Sequence, residues 1–337
     1  MLDFVIRPIE KKDLDAVMQL AAATGPGMTS LPADQKLMSD KIQDSINSFL
    51  IEPTHIGNES YRFVLELIPS KRVIGIAAIR ARVGGYEPFY SYEIKEAHHQ
   101  SPELAIDKTI PYLELCKSHD GPTIISSLFV LPEYRGYKLG ILLSKARFLF
   151  MANFPKRFTD NVIAEMRGVI NNDNKSPFWE GTVRHFFDMD FTKADYLSAK
   201  DKVFIADLMP KYPIYIPLLP KEVQKVISQV HKDTEAAMSF LESEGFSKDG
   251  HVDIFDAGPR IVANVKNIKT VRESKLFEII DIVNSNEDLD QKALASNCGL
   301  EFRASVINYK TENQKIIISK ETSELLNLKK SNTLRLI

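Results

Sequence analysis

The sequence predicts an α+β chain that closes in a small, mostly-β segment. Three observations carry this. From residue 4 onward, strand-like and helix-like stretches follow the order strand, helix, helix, strand, strand, and later strand, turn, helix, strand, helix. An apolar run ending at Val130 enters a turn containing Arg135 and Gly136, then leaves it as a helical pattern of Leu, Ile, Phe and Met. After "DAGPR" helical stripes become sparse, and short β-like runs (IVANV, FRASVINY, KIIIS, TLRLI) take over. That change of texture puts a boundary near Gly258, giving units 1–258 and 259–337. A length of 337 residues fits two units at roughly 150 residues each.

In chain order, Phe4-Val5-Ile6 reads as a strand stopped by Arg7-Pro8. Leu14, Val17, Met18, Ala21 and Ala22 share one helical stripe, with Asp13 placed to cap it and Gly25 to end it. The loop "TGPGMTSLP" and a helix over 33–50 follow. "YRFVLELI" and "RVIGIAAIRARV" read as strands joined through Pro69-Ser70-Lys71. The region 84–120 is less regular, rich in aromatics and His, and reads as an elaboration. Residues 123–130 form a buried strand, 137–153 a helix and 162–169 a strand. "SPFWEGTVRHFF" is a helix started by Ser176 and Pro177. "MPKYPIYIPLLP" interrupts the pattern. Helical pieces at 223–230 and 234–244 lead to a strand at 252–255. No repeat of about 20–50 residues is visible.

Composition excludes several classes. There are 43 basic and 45 acidic residues, so no global basic field draws nucleic acid or anionic lipid. No stretch approaches the ~20 apolar residues of a membrane span, and the N-terminus has no apolar signal core. Cys116 and Cys298 lie far apart without metal spacing, which fits free thiols in a reducing compartment. A cytoplasmic location and no bound metal are expected.

The turn carries the chemistry. A strand feeding a helix leaves amides unpaired at the helix start, with partial positive charge suited to phosphate. Small residues let the anion approach, and Arg135 and Lys138 add full charges. A pyrophosphate cradle and a plain strand–helix turn are equal readings of this stretch alone. Neither a Walker loop nor GxGxxG is present.

Element order and turn together resemble the GNAT superfamily of acyl-CoA N-acyltransferases, whose motif Arg/Gln-x-x-Gly-x-Gly/Ala grips the pyrophosphate of coenzyme A. Here it reads Arg135-Gly136-Tyr137-Lys138-Leu139-Gly140, with Lys138 in place of the middle glycine. The resemblance implies a GNAT-like fold, a mixed central sheet flanked by helices. "TGPGMTSLP", "LFVLPEYR", "LLSKARFLFMA", "VIAEMRGV", "SPFW", "FFDMDF", "ADLMPKYPIY", "QVH" and "LESEGF" with "DIFDAGP" occur in the order of the arginine N-succinyltransferase family. This similarity runs from residue 1 to about 260 and weakens beyond. It implies transfer of succinyl from succinyl-CoA, as co-substrate, to the α-amine of L-arginine, the first step of an arginine breakdown route. No permanent cofactor is implied. It also implies a small C-terminal all-β subdomain, coenzyme contacts at Leu128, Val130, Arg135, Gly136, Lys138 and Gly140, and His231 as proton donor.

From the residues alone, His231 is a histidine between two helical pieces, most simply a surface or structural one. His98-His99 read as a solvated loop, His185 as packing, and His55, His119 and His251 carry no signal. A substrate guanidinium wants carboxylates. Glu165, Asp188, Asp190, Asp253 and Asp256 stand nearest the motifs. Arg167 and Thr29-Ser30 are candidates for the succinyl carboxylate. Each is equally read as a surface ion pair or a turn. Trp179 reads as core. Alternatives to arginine succinylation are an ornithine preference, another GNAT-type acyl transfer, or a non-catalytic CoA-binding subunit. A homo- or hetero-oligomer is compatible with the sequence.

Overall fold

β1 (Phe4–Pro8) opens the computed structural model, which describes residues 3–25, 27–85, 88–200 and 203–337. Pro26 of the first loop and residues 86 and 87 of the 84–120 region lie outside them. Arg7 at the end of β1 binds the carboxylates of Asp13 and Glu66. Asp13 accepts the Glu10 amide at 2.8 Å, so it fixes the entry of α1 (Leu14–Thr24) without taking one of that helix's own amides. Gly25 ends α1 at φ +71°, where a glycine costs least. α2 (Gln35–Leu50) is capped by Asp34, which accepts the Leu37 amide. β2 (Ser60–Leu67) and β3 (Val73–Arg80) form the expected hairpin.

The 84–120 region departs from expectation. β4 (Phe89–Ser101) and β5 (Ile106–Ser118) pair antiparallel along their whole length. The outer half of this hairpin has no buried face, so no apolar alternation marked it in the sequence. His98 and His99 are therefore exposed strand residues, not part of a loop.

β6 (Thr123–Val130) matches expectation, and α3 (Leu139–Asn153) starts two residues later than read. β7 (Asn161–Glu165) stops short of 169; one further bond, from the Met166 amide to the Pro259 carbonyl, joins it to the start of the next partner strand before the chain turns away. "SPFWEGTVRHFF" is two short helices, α4 (Pro177–Gly181) and α5 (Arg184–Phe187), broken at Thr182. α6 (Phe191–Lys200), α7 (Val203–Leu208) and the short β8 (Ile214–Tyr215) follow. Next come α8 (Lys221–Val226), α9 (Glu235–Ser243), β9 (Ser247–Val252) and β10 (Pro259–Asn264). The strand read at 252–255 is the last residue of β9 and a turn, in which the Asp253 carboxylate accepts the amides of Phe255 and Asp256. Trp179 is fully buried, as expected.

The chain ends in α10 (Lys269–Glu273), β11 (Lys275–Val283), β12 (Gln291–Asn297), β13 (Ala304–Glu312), β14 (Lys315–Ser319), α11 (Lys320–Leu325) and β15 (Thr333–Leu336). The described strands run β12-β15-β11-β14-β13-β1-β2-β3-β6-β7-β10-β9-β4-β5-β8. β6–β7 and β11–β14 are parallel; the other pairs are antiparallel. β11–β15 enclose their own apolar cluster around Ile279, Ile307, Ile316 and Leu334; they join the rest of the sheet at Ile6 opposite Ala304, and Arg335 bonds Asn153 of α3. β10 sits between β7 and β9. α1 and α2 pack on β2 and β3, while α3 packs on β3 and β6.

Candidate active site

β6 is the central element of the site. Ser126 stands opposite Ala78 and Phe129 opposite Ile76, so Ser127 and Leu128 together face Ala77 alone: a β-bulge. Ser127 takes φ +56°, a left-handed conformation that costs a non-glycine residue about 1 kcal/mol. On its other side β6 is in register with β7 only at Thr123–Val162 and Ile124–Ile163, although β6 runs on to Val130. β7 stays with β10 as far as Glu165–Arg260. The two parallel strands thus part beyond their first residues, beside the bulge.

The exposed turn after β6 begins with Pro132–Tyr134 and leads into α3. Gly136 has φ +92°, and a Cβ there would meet nothing within 4 Å, so the glycine serves the turn's conformation and not a close contact. Lys138 is the N-cap of α3 at φ +60°, ψ 15°. That left-handed geometry explains why glycine suits this place in the motif, and Lys138 adopts it with a strain cost. The Arg135 guanidinium lies 5.9 Å from the Phe129 ring centroid.

Beyond β7, three segments cross. The Arg167 carbonyl accepts the His231 amide at 2.8 Å, and the Asp256 carboxylate accepts the amides of Gly168 and Gly258, each at 2.8 Å. A Cβ on Gly168 would come within 2.3 Å of the Asp256 carbonyl oxygen, and one on Gly258 within 1.9 Å of that of Met166. Both glycines are required by close backbone approach. Gly258→Ala is expected to destabilise the protein by at least about 2 kcal/mol, read as a lower denaturation midpoint at unchanged m.

His231 follows α8 and precedes α9, and its side chain is 11% exposed. Nδ1 accepts the Asp233 amide at 3.2 Å, so the neutral ring carries its proton on Nε2. The Asp233 carboxylate stands 3.8 Å from Nδ1, ready to pair with the charged ring. Burial first, and the positive charge of Arg167 second, lower the His231 pKa, which keeps the ring neutral at pH 7.

Arg167 is half-buried, its Nε has no hydrogen-bond partner, and burial lowers its pKa against the opposing fields of Asp256, Asp233 and Asp195. Asp195, on α6, accepts the Gly27 amide at 3.0 Å. Burial, with Asp253 adding, pushes Asp195 up to about 6. Burial and the charge of Asp253 likewise raise Asp256 well above the carboxylate range. Three carboxylates thus share a small space with Arg167 beside the Gly27 loop.

Of the residues read from sequence, Leu128, Val130, Arg135, Gly136, Lys138 and Gly140 follow one another along β6 and the turn. His231, Arg167 and Asp253 meet at the crossing of segments, as does Asp256. Glu165 ends β7 opposite Arg260. Asp188 is the exposed left-handed end of α5, and Asp190 pairs with Arg184. Asp195 was missed; nothing in its own helix marks it. Elsewhere, donor atoms of Glu93, Cys116 and His251, on β4, β5 and β9, lie within 4.8 Å of one another. Lys95 already pairs with Glu93, and burial and Glu93 raise the Cys116 thiol.

Residues 4–270 match a family model described as arginine N-succinyltransferase beta subunit. An arginine N-succinyltransferase of Yersinia enterocolitica is 38% identical over 334 residues, covering 98% of this chain and 96% of its own. One from Escherichia coli is 39% identical, covering 99% and 97%. The structure of arginine/ornithine succinyltransferase subunit AI from Pseudomonas aeruginosa superposes with a TM-score of 0.91 at 35% identity, covering 100% of this chain and 99% of that one.

Proposed function

This chain belongs to the arginine N-succinyltransferase family, and on that premise we propose that it transfers the succinyl group of succinyl-CoA to the α-amine of L-arginine, giving N2-succinyl-L-arginine and CoA. The observation that carries the site reading is the parting of β6 from β7 beside the Ser127–Leu128 bulge, with the Arg135–Gly140 turn at one end and the His231–Arg167 crossing beyond β7. This arrangement suits a GNAT-like acyltransferase part, residues 1–258, followed by the mostly-β part 259–337, whose first strand, β10, lies between β7 and β9.

In this reading the diphosphate of CoA rests on Gly136, Lys138 and Gly140 at the start of α3, with the charges of Arg135 and Lys138. The pantetheine arm lies along Leu128 to Val130. The arginine guanidinium enters the carboxylate group of Asp195, Asp253 and Asp256; burial and the charge of Asp253 raise the proton affinities of Asp195 and Asp256, and a substrate cation would relieve that repulsion. The α-amine, deprotonated, attacks the thioester carbon. The C–N bond forms, a tetrahedral oxyanion appears and the C–S bond then breaks. His231, neutral at rest with its proton on Nε2, takes up at Nδ1, through solvent, the proton that the amine sheds as the C–N bond forms; the charged ring pairs there with the Asp233 carboxylate and gives its Nε2 proton to the departing sulfur. Glu165 and Asp188 stay outside this scheme.

The test is thiol release from succinyl-CoA by the purified protein with arginine, with ornithine in a parallel arm because the Pseudomonas relative's description names both. Stoichiometric thiol and succinyl-arginine are expected. Release with neither amine removes the enzymatic reading and leaves a CoA-binding subunit. Lys138→Gly should weaken CoA binding by about threefold at low ionic strength and less in high salt, while relieving about 1 kcal/mol of left-handed strain, offset in part by the greater freedom of glycine in the unfolded chain. Isothermal titration and a denaturation midpoint read the two effects.

A further inference from the structure

Four arginines are buried among the described residues: Arg7, Arg62, Arg147 and Arg157. Arg7 binds two carboxylates. Arg157 donates to two backbone carbonyls and the Tyr61 hydroxyl. Arg147 holds Ser144 at 2.7 Å and two carbonyls. Arg62 differs. It is 3% exposed, and its Nη1 makes only long contacts, 3.4 Å to the Ser30 carbonyl and 3.5 Å to the Ser127 hydroxyl. Its Nε, like that of Arg147, is buried with no partner, but Arg147 and Arg157 each make at least one hydrogen bond of 2.8 Å or less and Arg62 makes none. Burial, with the charge of Arg80 added, lowers its pKa to about 10, so it stays charged at neutral pH.

The charge of Asp44 reaches Arg62, but no carboxylate among the described residues hydrogen-bonds it; a buried guanidinium without such a contact is costly, and a bidentate carboxylate is the partner its fork fits. Arg62 sits where such an anion would arrive. Ser127 is the strained residue of the β6 bulge, next to Leu128, and its hydroxyl also donates to the Ser30 carbonyl at 3.2 Å. Ser30 belongs to the loop that follows Gly25 and Gly27, both at positive φ. A turn of the Ser30 carbonyl would free the guanidinium toward the bulge. We propose that Arg62 receives the free carboxylate of the succinyl group and so selects succinyl-CoA over acyl-CoA esters of similar length without a terminal charge. This rests on the acyl-transfer reading above and replaces Arg167 as the succinyl partner. Arg167 is left to the His231 crossing.

The experiment compares binding of succinyl-CoA and butyryl-CoA, which has the same chain length and no carboxylate, by titration calorimetry without arginine. Wild type should prefer succinyl-CoA by about 30-fold, and Arg62→Met should lose most of that preference while binding butyryl-CoA as wild type does. Arg62→Lys, which keeps the charge and loses the fork, should keep an intermediate preference, and it serves if the Met variant fails to fold. An unchanged preference in either folded variant, or equal binding of both esters by wild type, overturns the proposal. Absence of thiol release with arginine or ornithine in wild type would instead sink the acyl-transfer reading, since ester binding is measured separately.

Discussion

His231→Ala is expected to lower kcat by about 100- to 1,000-fold with little change in the KM for either substrate, because a positioned proton-transfer group contributes on that scale. The wild-type dependence of kcat/KM on pH should show an acid limb below the ordinary histidine value of about 6.5, since burial and Arg167 both disfavour the charged ring. That limb should vanish in the variant. His231→Gln separates chemistry from packing, because its amide can still accept the Asp233 N–H but cannot titrate. Retention of wild-type kcat in His231→Gln would remove proton transfer from this side chain.

Asp195→Asn is expected to raise the KM for arginine by about 100-fold, the loss of one charge-assisted contact to a guanidinium, while kcat changes less. The same substitution should stabilise the free protein. Asp195 has a folded pKa raised to about 6, so its favourable contribution is complete below the unfolded carboxylate value and is lost as pH rises through 6. The asparagine variant keeps an acceptor for the Gly27 amide and carries no charge. Its gain over wild type should therefore be near zero around pH 4 and grow to about 2 kcal/mol by pH 7. Greater stability with weaker substrate binding marks a carboxylate kept at an energetic cost for its ligand. If arginine binding is unaffected, the guanidinium seat lies elsewhere.

The parts of the fold legible in the sequence are those in which local signals agree. β1, β2, β3 and β6 are short apolar runs bounded by Pro or turn residues, α1 follows an apolar stripe, and α3 is apolar on most of its sides. The turn from Arg135 to Gly140 reads equally as a plain strand–helix turn by itself, and only its motif spacing together with the element order singles it out. Why a glycine belongs at position 138 became clear only from the backbone, which is left-handed there. The β4–β5 hairpin escaped because its polar outer half carries no period-two pattern.

The site was legible in fragments. His231, Arg167 and Asp253 each stood in a quoted motif, but their meeting depends on hydrogen bonds that join residue 167 to 231 and residue 168 to 256. Asp195 has only its bond to the Gly27 amide to reveal it, and Arg62 only the poverty of its partners. Neither relation leaves a trace in spacing along the chain. The Asp256–Gly258 crossing likewise rests on backbones that approach too closely for a Cβ, which composition cannot express.

A crystal structure with bound CoA tests the central claim most directly. The diphosphate should lie against the backbone at Gly136–Gly140 with Arg135 and Lys138 beside it, and the thiol should point into the opening between β6 and β7. A diphosphate bound away from that turn, or a thiol remote from the Ser127–Leu128 bulge, would contradict the account of how this chain holds its acyl donor.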